Sequence, residues 1–380
     1  MYKALYGHMK SGRLFWENIH GKLSEMGFKS NPDDLCVMNK DVDGEQFTIV
    51  LHVDDLKLSF AREDEINKLL GDLEEEYGKL DIQRGKVLEY LWLTIDFETD
   101  GIVKISATSH IDRALELYGG SIKAGAKTPA TEGLFNVDED GVPLEEGKRK
   151  IFHSVFATLL WVGTMARPDI LVALSYLRKR TSKATDSDAK KLEHLLSYIK
   201  ATRDMPLTLG IDNLQVIKWW ADSSFAVHED MKSHSGLLGS FGREAIFAKS
   251  VTQRLNATSS TECEVIASSG VLPQALWTMS FLRHQGFKVN NVLLHQDNKA
   301  AILLQENGVS SRGRRSRHID IRFFFVKDRI EKGDVEIAFC GTKNMNADYL
   351  TMPLQGRAFR EFRDDIMGIN PTMDKIAGVC

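Results

Sequence analysis

The chain has 380 residues, 43% of them hydrophobic and 27% charged, which is typical of a globular protein and long enough for two or three domains. A formal net charge of −4 excludes a protein that is basic overall, so any surface that binds nucleic acid must be local. Four scattered cysteines exclude a disulfide framework or cysteine metal site, and no apolar run reaches membrane-spanning length.

Apolar spacing in the first half predicts helices that alternate with short strands. Asp43-Gly44 is a favourable turn pair between strand-like runs over 35–40 and 47–53. Asp54 and Asp55 follow at a second tight turn, before a strand over 56–60. The other predicted elements are helices over 13–27, 62–79 and 110–118, a strand over 89–97, a long surface loop over 126–150, helices over 151–183 broken at Arg167-Pro168, and a linker over 203–211. A further helix over 186–199 is predicted to be capped at Thr185.

From residue 215 the pattern changes to strands, and helices then alternate with them. Ser259 is predicted to cap a long helix that begins with Glu262. Trp219, Trp220 and Trp277 are predicted to be core side chains. The element order, βββαβα(α)βα, predicts an α/β fold with a mixed five-stranded sheet. The predicted strands are 216–221, 236–241, 245–249, 289–295 and 335–339, and the later helices are 298–307, 314–332 and a start at 346–350.

Four acidic residues fall at element ends in this second half. Asp222 and Asp297 end strand-like runs, whereas Glu264 and Asp348 open helix-like runs. Carboxylates that converge repel one another unless cations neutralise them, and hard oxygen ligands suit Mg²⁺. A pair of such ions is the usual device for attack at a phosphodiester. Glu262 competes with Glu264 for one role and is interpreted as a solvated acid of the first helical turn.

Eight short motifs stand in order along residues 1–355. They are Leu5-Tyr-Gly-His-Met-Lys-Ser, Leu51-His-Val-Asp54-Asp55-Leu, Ala166-Arg-Pro-Asp-Ile, Trp220-Ala-Asp222, Ser259-Ser-Thr-Glu-Cys-Glu264-Val-Ile-Ala, Gln296-Asp297-Asn-Lys-Ala-Ala-Ile, Arg317-His-Ile-Asp-Ile-Arg-Phe-Phe and Asn346-Ala-Asp348-Tyr-Leu-Thr. Each motif is weak alone, but the ordered series resembles the reverse transcriptase and ribonuclease H parts of copia-type retrotransposon Pol polyproteins.

The resemblance implies a ribonuclease H domain over 206–355, followed by a C-terminal tail over 356–380. Such a domain cuts the RNA strand of an RNA–DNA hybrid. The implied catalytic residues and metal ligands are Asp222, Glu264, Asp297 and Asp348, which would hold two Mg²⁺ ions, with Mn²⁺ as the alternative ion.

For residues 1–205 the resemblance implies a partial reverse transcriptase, a palm and thumb-like α+β remnant. Asp54 and Asp55 match the catalytic metal ligands of a polymerase palm. A palm needs a further aspartate, which in this family lies upstream of the Leu-Tyr-Gly motif, and only Met1 to Ala4 precede that motif here. This half is therefore expected not to polymerise alone. Gly12 replaces the family's proline, and Trp92 replaces its glycine.

The densest basic run covers residues 310–318. Its candidate nucleic-acid-binding residues are Arg312, Arg314, Arg315, Arg317 and His318. Beside a metal site these side chains favour binding of phosphate, and the other interpretation is a solvated loop. His318 fits a proton shuttle or an aid to product release as well as it fits a capping role.

Three functional interpretations stay open at this point. The first is a truncated reverse transcriptase and ribonuclease H that acts on RNA–DNA hybrids, alongside other polyprotein parts. The second is an inert relic that binds nucleic acid or nothing. The third is a polymerase completed by a longer or second chain. The polar start and the cysteine usage favour an intracellular protein, cytoplasmic or nuclear, with no membrane partner and no small substrate beyond nucleotides.

Overall fold

The computed structural model describes residues 10–242, 244–307 and 317–369, with the backbone alone at 317–321 and 323. Two compact units divide the chain: Met1–Leu91 with Ser280–Lys288, and Trp92–Met279 with Val289–Cys380. The division predicted between residues 205 and 206 lies inside the larger unit, and it stays a prediction about where two functional parts meet.

The smaller unit packs two helices on an antiparallel sheet. Its sheet has the order β1-β2-β3-β4, as the two predicted turns require. Its core joins Leu23 and Leu69 from the helices to Phe47 and Ile49 from the sheet. The elements are α1 Ser11–Glu25, β1 Lys29–Asn31, β2 Asp34–Val42, β3 Glu45–His52, β4 Asp55–Ser59, α2 Glu63–Tyr77 and β5 Val87–Tyr90.

The larger unit begins with short strands and four helices. β7 pairs antiparallel with β6 and with β8. Thr185 caps α6 as predicted, because its hydroxyl accepts the Asp188 N–H and the Asp188 carboxylate accepts the Thr185 N–H. The elements are β6 Leu93–Asp96, β7 Ile102–Ser106, α3 Thr108–Tyr118, α4 Glu146–Met165, the 3₁₀ turn Pro168–Ile170, α5 Leu171–Arg180, α6 Asp186–Ala201 and β8 Leu207–Gly210.

Three predictions for this region are wrong in part. The strand over 89–97 is interrupted, because Leu91 and Trp92 adopt left-handed φ angles of 53° and 63°. The linker over 203–211 contains β8, whose short sequence gave no periodic signal. The loop over 126–150 is irregular up to 145, but Ala130 and Leu134 are buried in the core and its last residues open α4.

The rest of the larger unit is built on a mixed five-stranded sheet, as predicted. Its order is β11-β10-β9-β12-β13. β9 pairs antiparallel with β10 and parallel with β12, and β12 pairs parallel with β13. The elements are β9 Val216–Ser224, β10 His234–Ser240, β11 Phe247–Thr252, α7 Ser260–His284, β12 Asn291–Gln296, α8 Lys299–Asn307, α9 Arg317–Glu331, β13 Val335–Phe339, the 3₁₀ turn Asn346–Leu350 and α10 Gly356–Ile366.

One hydrophobic core runs through the larger unit on both sides of residue 205. It joins Leu159 of α4 and Leu195 of α6 to Trp220 of β9, Leu238 of β10 and Phe359 of α10. Residues 356–366, expected as part of a tail, form a helix that contributes to this core. Burial of Trp219 and Trp220 agrees with the prediction, whereas Trp277 is 40% exposed.

Among the described residues, α7 alone has the length and hydropathy of a helix that crosses a bilayer. In its most apolar window, 61% of the helix is buried inside the protein. Its apolar character therefore fits a helix of the protein's interior.

Candidate active site

Two of the predicted carboxylates, Asp222 and Asp297, are held close together by the neighbouring parallel strands β9 and β12. The register of β9 and β12 pairs Trp220 with His295. Asp222 and Asp297, each two residues further along, therefore lie side by side near the carboxyl ends of these two strands, in the middle of the sheet. The Asp222 side chain is buried, and that of Asp297 is half-buried.

Glu264, from the start of α7, extends to the same carboxyl ends of β9 and β12. The hydroxyl of Ser259 accepts the Glu262 N–H at 3.3 Å, which caps the helix and fixes where its first turn begins. Carboxylate oxygens of Asp222, Glu264 and Asp297 all lie within 4.8 Å of one another. We call these three residues and Asp348 the carboxylate cluster.

Asp348 enters the cluster from the 3₁₀ turn Asn346–Leu350. Its carboxyl and that of Asp222 lie close enough for each to shift the pKa of the other. Three residues later, the hydroxyl of Thr351 donates to Asp222 Oδ2 at 2.7 Å. The turn lies close against β10, because a Cβ at Gly236 would clash with the Ala347 carbonyl oxygen.

Burial raises the pKa of every carboxyl in the cluster, and the charges of neighbouring carboxylates add to this at Asp222, Glu264 and Asp348. Desolvation, with the charge of Asp297 as a smaller cause, raises the pKa of Asp222 to about 6. Desolvation and the charges of Asp222 and Asp297 raise the pKa of Asp348 to about 8. The pKa of Glu264 is raised well above its ordinary value, first by burial and then by Asp222, and burial raises that of Asp297. In the absence of a cation, the cluster therefore holds protons near neutral pH.

Gln296 connects the carboxylates through its side-chain amide. Its Nε2 lies 3.3 Å from Glu264 Oε2 and 3.2 Å from Ser268 Oγ. Its Oε1 accepts the Asn298 N–H at 2.9 Å, just after Asp297. One fully buried amide thus orients Glu264 and fixes the backbone that carries Asp297.

Glu262 is not the solvated acid that the sequence predicts. Its side chain is 5% exposed, and Oε2 accepts both the N–H and the hydroxyl of Thr258 at 2.6 Å. Its carboxylate stabilises the start of α7, while Glu264 is the acid that joins the cluster.

The other predicted site residues lie outside the cluster or outside the described residues. Asp54 and Asp55 are exposed at the turn between β3 and β4, and within the described residues they join no group of three metal-ligand side chains. Arg312, Arg314 and Arg315 lie outside the described residues. Arg317 and His318 open α9, but their side chains are not described.

Sequence reasoning assigned no role to Gln296 or Thr351, although both contact cluster carboxylates. Thr351 offers a sequence signal, because it follows Asp348 by three residues, one turn of a 3₁₀ helix. Gln296 stands in the motif that contains Asp297, but nothing in the motif indicates that its amide bonds to Glu264.

The sheet order and the position of the carboxylates define a ribonuclease H-like fold. No family model matches the chain. The chain is a homologue of the retrovirus-related Pol polyproteins of copia-type transposons.

The chain is similar in sequence to two curated relatives and in fold to one solved structure. The chain is 25% identical over 376 residues to the retrovirus-related Pol polyprotein from transposon TNT 1-94 of Nicotiana tabacum, covering 97% of this chain and 28% of that protein. It is 23% identical over 372 residues to the corresponding polyprotein from transposon RE1 of Arabidopsis thaliana, covering 96% and 24%. The chain thus spans about a quarter of the length of these relatives.

The solved structure is that of the foamy viral protease-reverse transcriptase in complex with RNA/DNA hybrid. It superposes with a TM-score of 0.51 at 13% identity, over 89% of this chain and 39% of that one. At this identity the likeness shows a shared fold.

Proposed function

We propose that the larger unit hydrolyses the RNA strand of RNA–DNA hybrids with two Mg²⁺ ions. The observation that carries this proposal is the convergence of Asp222, Glu264 and Asp297 from two adjacent strands and one helix. Asp348 adds a fourth carboxyl from the 3₁₀ turn.

The donor set fits a hard divalent cation. All four cluster side chains offer oxygen, and their raised pKa values show that charge is uncompensated when no cation is present. When bound, a pair of such ions activates water and stabilises the leaving oxygen at a phosphodiester. Mn²⁺, which accepts the same ligands, is the expected substitute.

The chain's own residues supply orientation. Gln296 holds the Glu264 carboxylate, and Thr351 holds that of Asp222. Both donors are fully buried, so they keep the carboxylates in position before any substrate arrives. Preorganisation of this kind lowers the reorganisation required during hydrolysis.

The proposed substrate, an RNA–DNA hybrid, is inferred from the similarity to Pol polyproteins and from the basic run at residues 310–318. The 2′-hydroxyls and groove shape of a hybrid allow recognition without sequence preference. The basic run with Arg312, Arg314, Arg315 and Arg317 is the proposed phosphate contact. The Asp54-Asp55 turn is proposed as a trace of polymerase ancestry.

Cleavage of a labelled RNA–DNA hybrid by four purified proteins tests the proposal. Wild type is expected to cut the RNA strand with Mg²⁺, whereas Asp297→Asn and Glu264→Gln lose at least about 100-fold in rate, because each removes a ligand charge. Glu262→Gln is the matched control, since a glutamine oxygen can still accept from Thr258.

The same experiment separates the alternatives. An inactive wild type that is folded and binds Mg²⁺ would support the inert relic. An inactive Glu262→Gln beside an active Glu264→Gln would show that the catalytic glutamate was assigned to the wrong position.

A further inference from the structure

A buried ion pair lies at the junction of α4 and α5. Arg167 donates from Nε and Nη2 to the two carboxylate oxygens of Asp169, at 2.8 and 2.7 Å. These side chains are 1% and 0% exposed. Arg167 also donates to the carbonyl and the hydroxyl of Thr202 at the end of α6, and Tyr198 donates to Asp169 Oδ2 at 2.7 Å. The pair is therefore fully hydrogen-bonded and held in one arrangement.

Packing alone does not require such a pair. A buried ion pair gains little stability over apolar side chains of similar volume, because both charges lose their hydration. The ion pair instead fixes the backbone of the Pro168–Ile170 turn, including the carbonyl of Asp169.

That carbonyl is bonded to the segment that carries Asp348. The hydroxyl of Tyr349 donates to the Asp169 carbonyl oxygen at 2.8 Å. The Tyr349 side chain is buried, and its ring packs on Phe359 of α10 with centroids 5.3 Å apart. The bond spans 180 residues of sequence.

The turn Asn346–Leu350 is thus held from two sides. On one side Thr351 bonds to Asp222, and the backbone at Ala347 lies against Gly236 of β10. On the other side Tyr349 bonds to the Asp169 carbonyl and packs on Phe359. Loss of the Tyr349 hydroxyl leaves only ring packing to hold the turn on this second side.

We propose that Tyr349 and the Asp169 carbonyl position Asp348 for metal binding. A segment that resembles the end of the reverse transcriptase part then completes the nuclease centre. This inference rests on the proposed function, since it assumes that the carboxylate cluster binds divalent cations. Tyr349 acts here through Asp348 as a positioning residue.

The test is the affinity of the full chain for Mn²⁺, measured by electron paramagnetic resonance of the free ion. Tyr349→Phe removes one hydroxyl and keeps the ring against Phe359. Its dissociation constant for Mn²⁺ is expected to rise about tenfold, the lower end of the effect of outer-shell partners. At saturating Mn²⁺, its rate of hybrid cleavage is expected to return to that of wild type.

Tyr176→Phe is the matched control. Tyr176 is a buried tyrosine whose hydroxyl donates to Asp188 at 3.0 Å, and Asp188 pairs with Arg180 at 3.0 Å. Tyr176→Phe therefore also removes the hydroxyl of a buried tyrosine beside a buried ion pair, but at a site that none of the cluster hydrogen bonds reaches. Its Mn²⁺ affinity is expected to match wild type even where its unfolding temperature falls.

The outcomes are distinct. A wild type that binds no Mn²⁺ would overturn the proposed function. If wild type binds and Tyr349→Phe binds equally well, the positioning role is wrong. An equal loss of affinity in Tyr176→Phe would likewise overturn it, because general loss of stability would then explain the effect.

Discussion

Asp222 and Asp348 keep their protons over a pH range in which ordinary aspartates are ionised, because both are buried beside other carboxylates. A cation that enters the cluster must displace these protons, so metal affinity should increase with pH. The same residues that attract a cation also destabilise the folded chain without one.

The first prediction concerns this link between pH and stability. Folded pKa values of about 6 for Asp222 and about 8 for Asp348 both lie above the ordinary 3.8. The folded state therefore binds more protons than the unfolded state, and the stability these groups contribute below about pH 4 is lost as the pH rises to about 8. Added Mg²⁺ should restore it at pH 8 by binding the folded state alone, by about 2.7 kcal/mol at 100 times the dissociation constant.

Thermal unfolding from pH 4 to 9, with and without Mg²⁺, measures this effect. Asp348→Asn removes a carboxyl whose pKa is raised to about 8 and should flatten the fall between about pH 6 and 8 relative to wild type. Parallel curves for the two proteins would contradict the prediction.

At the scale of elements, the 3₁₀ turn Asn346–Leu350 depends on how closely it approaches β10. Gly236 leaves room for this approach: a Cβ there would meet the Ala347 carbonyl and would lie 2.8 Å from Thr351 Cγ2. Both neighbours belong to the segment that carries Asp348, and backbone atoms cannot give way as a flexible side chain can.

The second prediction follows from that contact. Gly236→Ala should lower the free energy of unfolding by about 1–3 kcal/mol through overpacking, and it should weaken Mn²⁺ binding by displacing Asp348. Gly270→Ala in α7 is the matched control, since a Cβ there meets nothing within 4 Å and alanine favours the helix by about 0.5–1 kcal/mol. Urea unfolding of both variants measures the difference in their free energies of unfolding. The prediction is wrong if the Gly236→Ala protein is as stable as the Gly270→Ala protein.

For the molecule as a whole, the main core of the larger unit joins residues on both sides of residue 205. Leu195 of α6 is fully buried in the same cluster as Trp220 of β9 and Leu238 of β10. Elements that share a core lose protection together when it is weakened. The five-stranded sheet and the helices that precede it should therefore unfold as one cooperative body.

The third prediction tests this coupling by hydrogen exchange. Leu195→Ala should cost about 2–5 kcal/mol, and it should speed amide exchange in β9 and β10 as well as in α6. Leu303→Ala in α8 removes the same atoms from a side chain that is 60% exposed and should change little. Faster exchange confined to α6 would show that the five-stranded sheet folds independently of the upstream helices.

Periodicity and turn chemistry in the sequence predicted most elements. The Asp43-Gly44 turn, the Thr185 cap and the break at Arg167-Pro168 are local, so neighbouring residues are enough to specify them. β8 and the turn at Leu91 were missed, because a four-residue strand and two strained non-glycine residues depend on their tertiary surroundings.

The sequence by itself determined the order of strands and helices after residue 215 and the positions of four acidic residues near element ends, since strand ends and helix starts are set by local pattern. Tertiary structure alone decided that Gln296 and Thr351 orient those carboxylates, that Glu262 is buried, and that Asp169 is bonded to Tyr349. Each of these depends on a contact between distant segments, and burial then changes what a polar side chain does by removing its water. No pattern within one segment contains that information.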